Sequence, residues 1–158
     1  MKNMGGLFLG RGNNGRSAAP GWRYRPYAGF PRSLRIVVAD DQEDTVLTLK
    51  TILEDEGHEV RGITKPTQVL GIVRLFRPDA VILDIAMPDL SGYDIAREIR
   101  RQYISERPLL IAITGLYNKA SEKALSRAVG FDHHLAKPCQ PSELLSLLRP
   151  LADPNGTR

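Results

Sequence analysis

Residues 81–100, VILDIAMPDLSGYDIAREIR, decide the fold. Val81, Ile82 and Leu83 form a short aliphatic run that stops at the carboxylate of Asp84. A run this short, apolar at every position, is a strand buried on both faces. Beyond Pro88 the pattern changes: Ile95 and Ile99 recur at helical spacing, and Ser91 with Asp94 stands in the arrangement of a capping box, so a helix is expected from Ser91.

The same strand-then-helix unit recurs on either side. Strands are expected at Leu34 to Ala39, His58 to Ile63, Ala80 to Leu83, Leu109 to Thr114 and His133 to Ala136, with the second and fifth expected at the edges. Val46, Leu49, Ile52 and Leu53 mark a helix stopped by Gly57, and Val69, Leu70, Val73 and Phe76 mark one that ends before Pro78. Ala120, Ala124, Leu125, Ala128 and Val129 form a fourth helical face ended by Gly130, and a fifth helix runs from Pro141 through Leu144, Leu145 and Leu148. Alternating strands and helices with right-handed crossovers make an open, doubly wound, five-stranded parallel sheet covered on both faces.

Length and charge bound the alternatives. The 158 residues suffice for one core of ordinary size and would be cramped as two. Residues 1–33 hold six of the 22 Lys and Arg and none of the 18 Asp and Glu, which leaves 16 basic against 18 acidic residues in the rest, a balance of −2. The basic character belongs to this Gly-, Arg- and Pro-rich segment, which shows no apolar period and is expected to be a disordered tail. The expected division is a tail over 1–33, a folded domain over 34–151 and a flexible end over 152–158. No run reaches the roughly 20 apolar residues of a membrane span, the first residues lack a secretory pattern, and Cys139 stands alone, so a cytoplasmic protein without disulfides is expected.

In open parallel sheets ligands bind at the carboxyl ends of the strands, so the residues that end the aliphatic runs carry the chemistry. The first run ends in Asp40 and Asp41, the third in Asp84 and the fourth in Thr114, and Lys137-Pro138 follow the fifth. Three converging carboxylates repel one another unless a cation intervenes. Lys137 supplies one ammonium, and a hard oxygen cluster suits Mg²⁺, which also binds phosphate oxygens. This set points to phosphoryl chemistry.

The segments VVADDQE, VILDIAMPDLSGYDIAREIR, IAITG and GFDHHLAKP together resemble, in order and spacing, the receiver domain of response regulators over about residues 34–151. The resemblance implies a flavodoxin-like (βα)5 fold with strand order 2-1-3-4-5. It implies that Asp84 accepts a phosphoryl group from a phosphohistidine, and that Asp40, Asp41, Asp84 and the backbone carbonyl of Ala86 hold Mg²⁺. It gives Lys137 the phosphoryl oxygens, makes Thr114 the switch hydroxyl, puts a cis bond before Pro138, and places His134 where relatives carry a Tyr or Phe that follows the switch. A His there is planar and titrates near neutrality. Apolar Ala86 and Leu116 occupy two positions where polar residues of relatives orient the hydrolytic water, so slow loss of the phosphoryl group is expected. A sensor or hybrid histidine kinase, or a histidine phosphotransfer protein, is the implied donor. A downstream protein would dock on the fourth helix, fifth strand and fifth helix, with no enzymatic turnover beyond self-phosphorylation and slow self-dephosphorylation.

Each residue has a plain structural reading when taken singly. Asp40 and Asp41 can begin a helix, Asp84 can be a loop carboxylate, Thr114 a strand-end hydroxyl and Lys137 a solvated charge. His133 and His134 are neighbours on a strand, point to opposite faces, and are not expected to share a metal. Two rival functions remain. An aspartyl-nucleophile phosphatase of the haloacid-dehalogenase type would need a D-x-D after the first strand, where this chain has Asp40-Asp41-Gln42. The tail, with Trp22, Arg23, Tyr24, Arg25 and Tyr27, can be read as a site for single-stranded nucleic acid, although a linker or an over-extended start is preferred.

Overall fold

A computed structural model describes residues 32–115 and 120–153, with nothing said of the side chains of 120–123. The chain alternates β1 (Arg35–Ala39), α1 (Glu43–Asp55), β2 (Glu59–Ile63), α2 (Val69–Phe76), β3 (Ala80–Asp84), α3 (Gly92–Gln102), β4 (Leu109–Thr114), α4 (Ala120–Val129), β5 (His133–Ala136) and α5 (Pro141–Ala152). A short 3-10 turn, Pro66–Gln68, leads into α2. The five strands are all parallel in the order β2-β1-β3-β4-β5, with β2 and β5 at the edges. This is the doubly wound sheet that the sequence pattern demands.

Successive side chains on a strand face opposite ways, and the core divides accordingly. Ile36, Val38, Ile82, Ile111, Ile113 and Leu135 pack with Leu49 and Leu53 of α1 and Leu144 and Leu148 of α5. Val37, Val81, Leu83, Leu110 and Ala112 pack on the other face with Val69, Val73, Ile95, Ile99 and Phe131. Each fully buried Leu or Ile contributes roughly 1.5–3 kcal/mol, so the two layers hold the strand ends in fixed register.

The termini of the elements differ from the sequence reading for local reasons. Leu34 and His58 lie just outside β1 and β2: the Leu34 N–H donates to His58 Nδ1 at 3.3 Å while its carbonyl accepts the Glu59 N–H at 2.8 Å, and the His58 N–H turns back to the Leu53 carbonyl at 3.1 Å. Asp84 is the last residue of β3 rather than the first of a loop. Gly57, at φ 92°, ends α1 as expected. Only half of the capping box forms: Ser91 Oγ accepts from the Tyr93 N–H at 3.2 Å, while Asp94 turns outward to Arg97 at 3.0 Å.

Candidate functional site

Parallel pairing brings the carboxyl ends of β1, β3 and β4 to one rim, and the acids that end the runs meet there. Asp40 follows β1 and Asp84 closes β3, both buried, whereas the adjacent Asp41 is exposed. One carboxylate oxygen from each of Asp40, Asp41 and Asp84 lies within 4.8 Å of the others. Lys137 enters from the end of β5: its Nζ lies 2.6 Å from Asp40 Oδ2 and 3.1 Å from Asp84 Oδ2. The ammonium therefore bridges the two buried carboxylates.

The second oxygens are used by the main chain. Asp40 Oδ1 accepts from the Gln42 N–H at 2.9 Å and Asp84 Oδ1 from the Ala86 N–H at 3.2 Å. Asp40 thus begins the turn into α1 and faces the lysine as well. Asp41 forms no hydrogen bond or ion pair among the described residues. Burial is the largest influence on Lys137 and lowers its pKa, but the hydrogen bonds and charges of Asp40 and Asp84 together exceed it and hold the ammonium above its ordinary value.

Gly92 sets the distance between α3 and this rim. A Cβ there would overlap the carbonyl oxygen of Asp84 and stand 2.9 Å from Ile85 Cα, so only glycine lets the start of α3 close against the end of β3. Thr114, buried at the end of β4, is tied to the lysine loop through its carbonyl, which accepts the Lys137 N–H at 3.0 Å. The Lys137-Pro138 bond is cis.

The model of the response regulator receiver domain matches residues 36–149. The chain belongs to this family. Receivers are signalling modules of two-component systems, of the phosphoaspartate type. An uncharacterised 14.6 kDa protein of Leptolyngbya boryana, from a sodA1 3′ region, is 32% identical over 114 residues, or 72% of this chain and 86% of that one. The DNA-binding response regulator MtrA of Mycolicibacterium paratuberculosis is 31% identical over 73% of this chain, which spans about half of that protein's length, 49%. The chemotaxis protein CheY4 of Vibrio cholerae superposes with a TM-score of 0.69 at 25% identity, covering 74% of this chain and 97% of that one.

The three acids fit a hard divalent cation. Their donors are all oxygens, and one carboxylate is exposed to receive it. His134 is half-buried on β5, with its ring 6.2 Å from that of Phe131, which in turn meets Tyr93 of α3 edge-on at 6.3 Å. His133 is exposed. Ala86 presents an exposed methyl group beside Asp84, and Leu116 lies outside the described residues. Cys139 borders a cavity of about 480 Å³ next to Lys137, and burial, aided by the charge of Glu143, pushes its thiol up to about 11, so it stays protonated.

Sequence reasoning missed the residue that fixes the α4–β5 turn. Arg100 Nε donates to the Gly130 carbonyl at 2.8 Å, Nη1 to the Pro108 carbonyl at 2.7 Å and Nη2 to Asp132 Oδ2 at 2.6 Å. The same Asp132 oxygen takes the Leu110 N–H at 2.8 Å. Its partners lie up to 32 residues away, so no local spacing announces it.

Proposed function

We propose that this receiver works as a phosphoacceptor in a phosphorelay, with Asp84 as the acceptor, and that the folded unit over 34–151 signals through a separate protein. The observation that carries the reading is the Lys137 ammonium placed between Asp40 and Asp84 inside a three-carboxylate rim. An Asp84 carboxylate oxygen attacks the phosphorus of a phosphohistidine, the P–N bond breaks, and the imidazole leaves and is protonated by solvent. Lys137 stabilises charge on the phosphoryl oxygens, and Thr114 donates its hydroxyl to one of them, drawing its loop inward. Mg²⁺ on Asp40, Asp41, Asp84 and the Ala86 carbonyl would neutralise the remaining charge. His134 follows the Thr114 movement, and the surface of α4, β5 and α5 presents the result to a target protein or passes phosphate to a histidine. No helix among the described residues is long and apolar enough to cross a membrane.

The test is incubation with Mg²⁺ and acetyl phosphate, followed by acid-stable detection of aspartyl phosphate. The wild-type chain is expected to label, Asp84→Asn to fall at least about 100-fold, and the label to persist for minutes or longer because the Ala86 methyl cannot orient water. Equal labelling of Asp84→Asn would move the acceptor elsewhere, and loss within seconds would remove the role given to Ala86.

A further inference from the structure

The end of the sheet opposite Asp84 holds a second concentration of charge. A cavity of about 610 Å³ opens there among the amino ends of β1 and β4 and the carboxyl ends of α2 and α3. Arg35, Arg74, Arg77 and Arg107 line it, together with Tyr103 and Glu106. None of these four arginines forms an ion pair with a described residue, whereas Arg32, Arg61, Arg97, Arg100 and Arg101 each hold a carboxylate. Asp79, the other acid of the lining, is already engaged by Arg32 at 3.1 Å and by the Arg35 N–H at 2.8 Å.

The helix dipole explains only part of this. Arg74 lies in the last turn of α2 and Arg77 follows it, where a cation is favoured. Arg35 opens β1 and Arg107 precedes β4, so neither gains from a helix end. Arg77-Pro78 and Arg107-Pro108 repeat one dipeptide ahead of two adjacent strands, and both arginines line the same recess. Arg77 also sits at φ 47° and ψ 64°, a left-handed position where glycine is the ordinary occupant and an L side chain costs about 1 kcal/mol. Strain is held there by a side chain with no ion partner among the described residues.

We infer that this cavity binds a small ligand bearing two or more phosphates, of the nucleoside diphosphate class. The four guanidinium groups meet the phosphates, and Tyr103 offers the base a planar face. A guanidinium matches two phosphate oxygens at once, and four of them exceed what one phosphate can use. The volume suits a small molecule, whereas single-stranded nucleic acid needs an extended groove with several aromatic platforms and this lining has one.

The experiment is a fluorescence titration of the full chain with N-methylanthraniloyl-ADP, without divalent ions and at about 150 mM salt. Saturable binding is expected, displaced by pyrophosphate and left unchanged by Asp84→Asn. Arg77→Gly removes a guanidinium while relieving the left-handed strain, and its thermal midpoint, read beside the titration, separates lost affinity from lost fold. Arg77→Gly and Arg107→Ala are each expected to weaken binding about tenfold or more, the effect of one lost charge-assisted contact. No saturation at millimolar nucleotide would overturn the site, as would wild-type affinity in both variants. Displacement by an oligothymidylate at lower concentration than by pyrophosphate would assign the cavity to nucleic acid instead.

Discussion

The two ends of the sheet solve the problem of concentrated charge differently. At the carboxyl ends of the strands, Asp40 and Asp84 are buried and share one ammonium at 2.6 and 3.1 Å. At the amino ends, four arginines gather around a cavity with one unengaged carboxylate, Glu106. Like charges in a shared recess repel, and the repulsion is relieved from within the chain, by solvent and salt, or by something that binds. The first end is balanced enough to fold with its acids buried and open enough, through Asp41, to admit a cation. The second end leaves its balance to a ligand.

The largest break in this comparison is expected from Lys137→Met. Removing the ammonium leaves two buried carboxylates facing each other, which costs about 3 kcal/mol in urea unfolding without divalent ions. Mg²⁺ should restore much of the loss. Because the folded pKa of Lys137 is raised above 10.5, the ammonium's contribution is fully present below that value and is lost as pH climbs through the folded pKa. The variant should therefore lack the wild-type chain's alkaline decline. An unchanged midpoint at neutral pH would show that the bridge is not what balances the rim.

Arg100→Met comes next. This arginine is at the amino end too, but it is paired, and its loss strands two carbonyls and the Asp132 carboxylate. A cost of about 2 kcal/mol is expected, where truncating a neighbour such as Arg107, which holds no ion pair among the described residues, should cost little.

A smaller effect is expected at His58. Burial lowers its pKa below 6.5, against the opposing charge of Asp79, and its Nδ1 accepts the Leu34 N–H. The stability it contributes is present above pH 6.5 and is lost as pH falls through the folded value. Asn at this position keeps an acceptor without a titrating ring. His58→Asn should flatten the acid side of the stability profile below pH 6.5, as measured by urea midpoints across that range. The smallest change belongs to Arg77→Gly, which should leave thermal stability equal or raise it by a fraction of a kcal/mol.

Most of the fold was legible because short aliphatic runs such as Val81 to Leu83, bounded by polar and turn residues, read as buried strands, and Gly57 can end a helix at a φ that other residues avoid. The rim was legible because each of its residues terminates such a run. What the sequence did not announce depends on partners far along the chain. The Leu34 N–H goes to the His58 side chain and the His58 N–H back to Leu53, which shortens both strands, and Asp94 prefers Arg97 to the helix start. Arg100 and the four arginines without an ion pair among the described residues become meaningful only when the amino ends of the strands are brought together.

The contact at Gly92 has a mechanical consequence. With a hydrogen atom where other residues carry a carbon, α3 rests on the Asp84 carbonyl without clearance. Any shift of the Asp84 main chain toward α3 must be carried by the whole helix. Tyr93, the next residue, would swing against Phe131, and Phe131 against His134. One missing methyl group thus makes the first turn of α3 a lever whose far arm ends on β5.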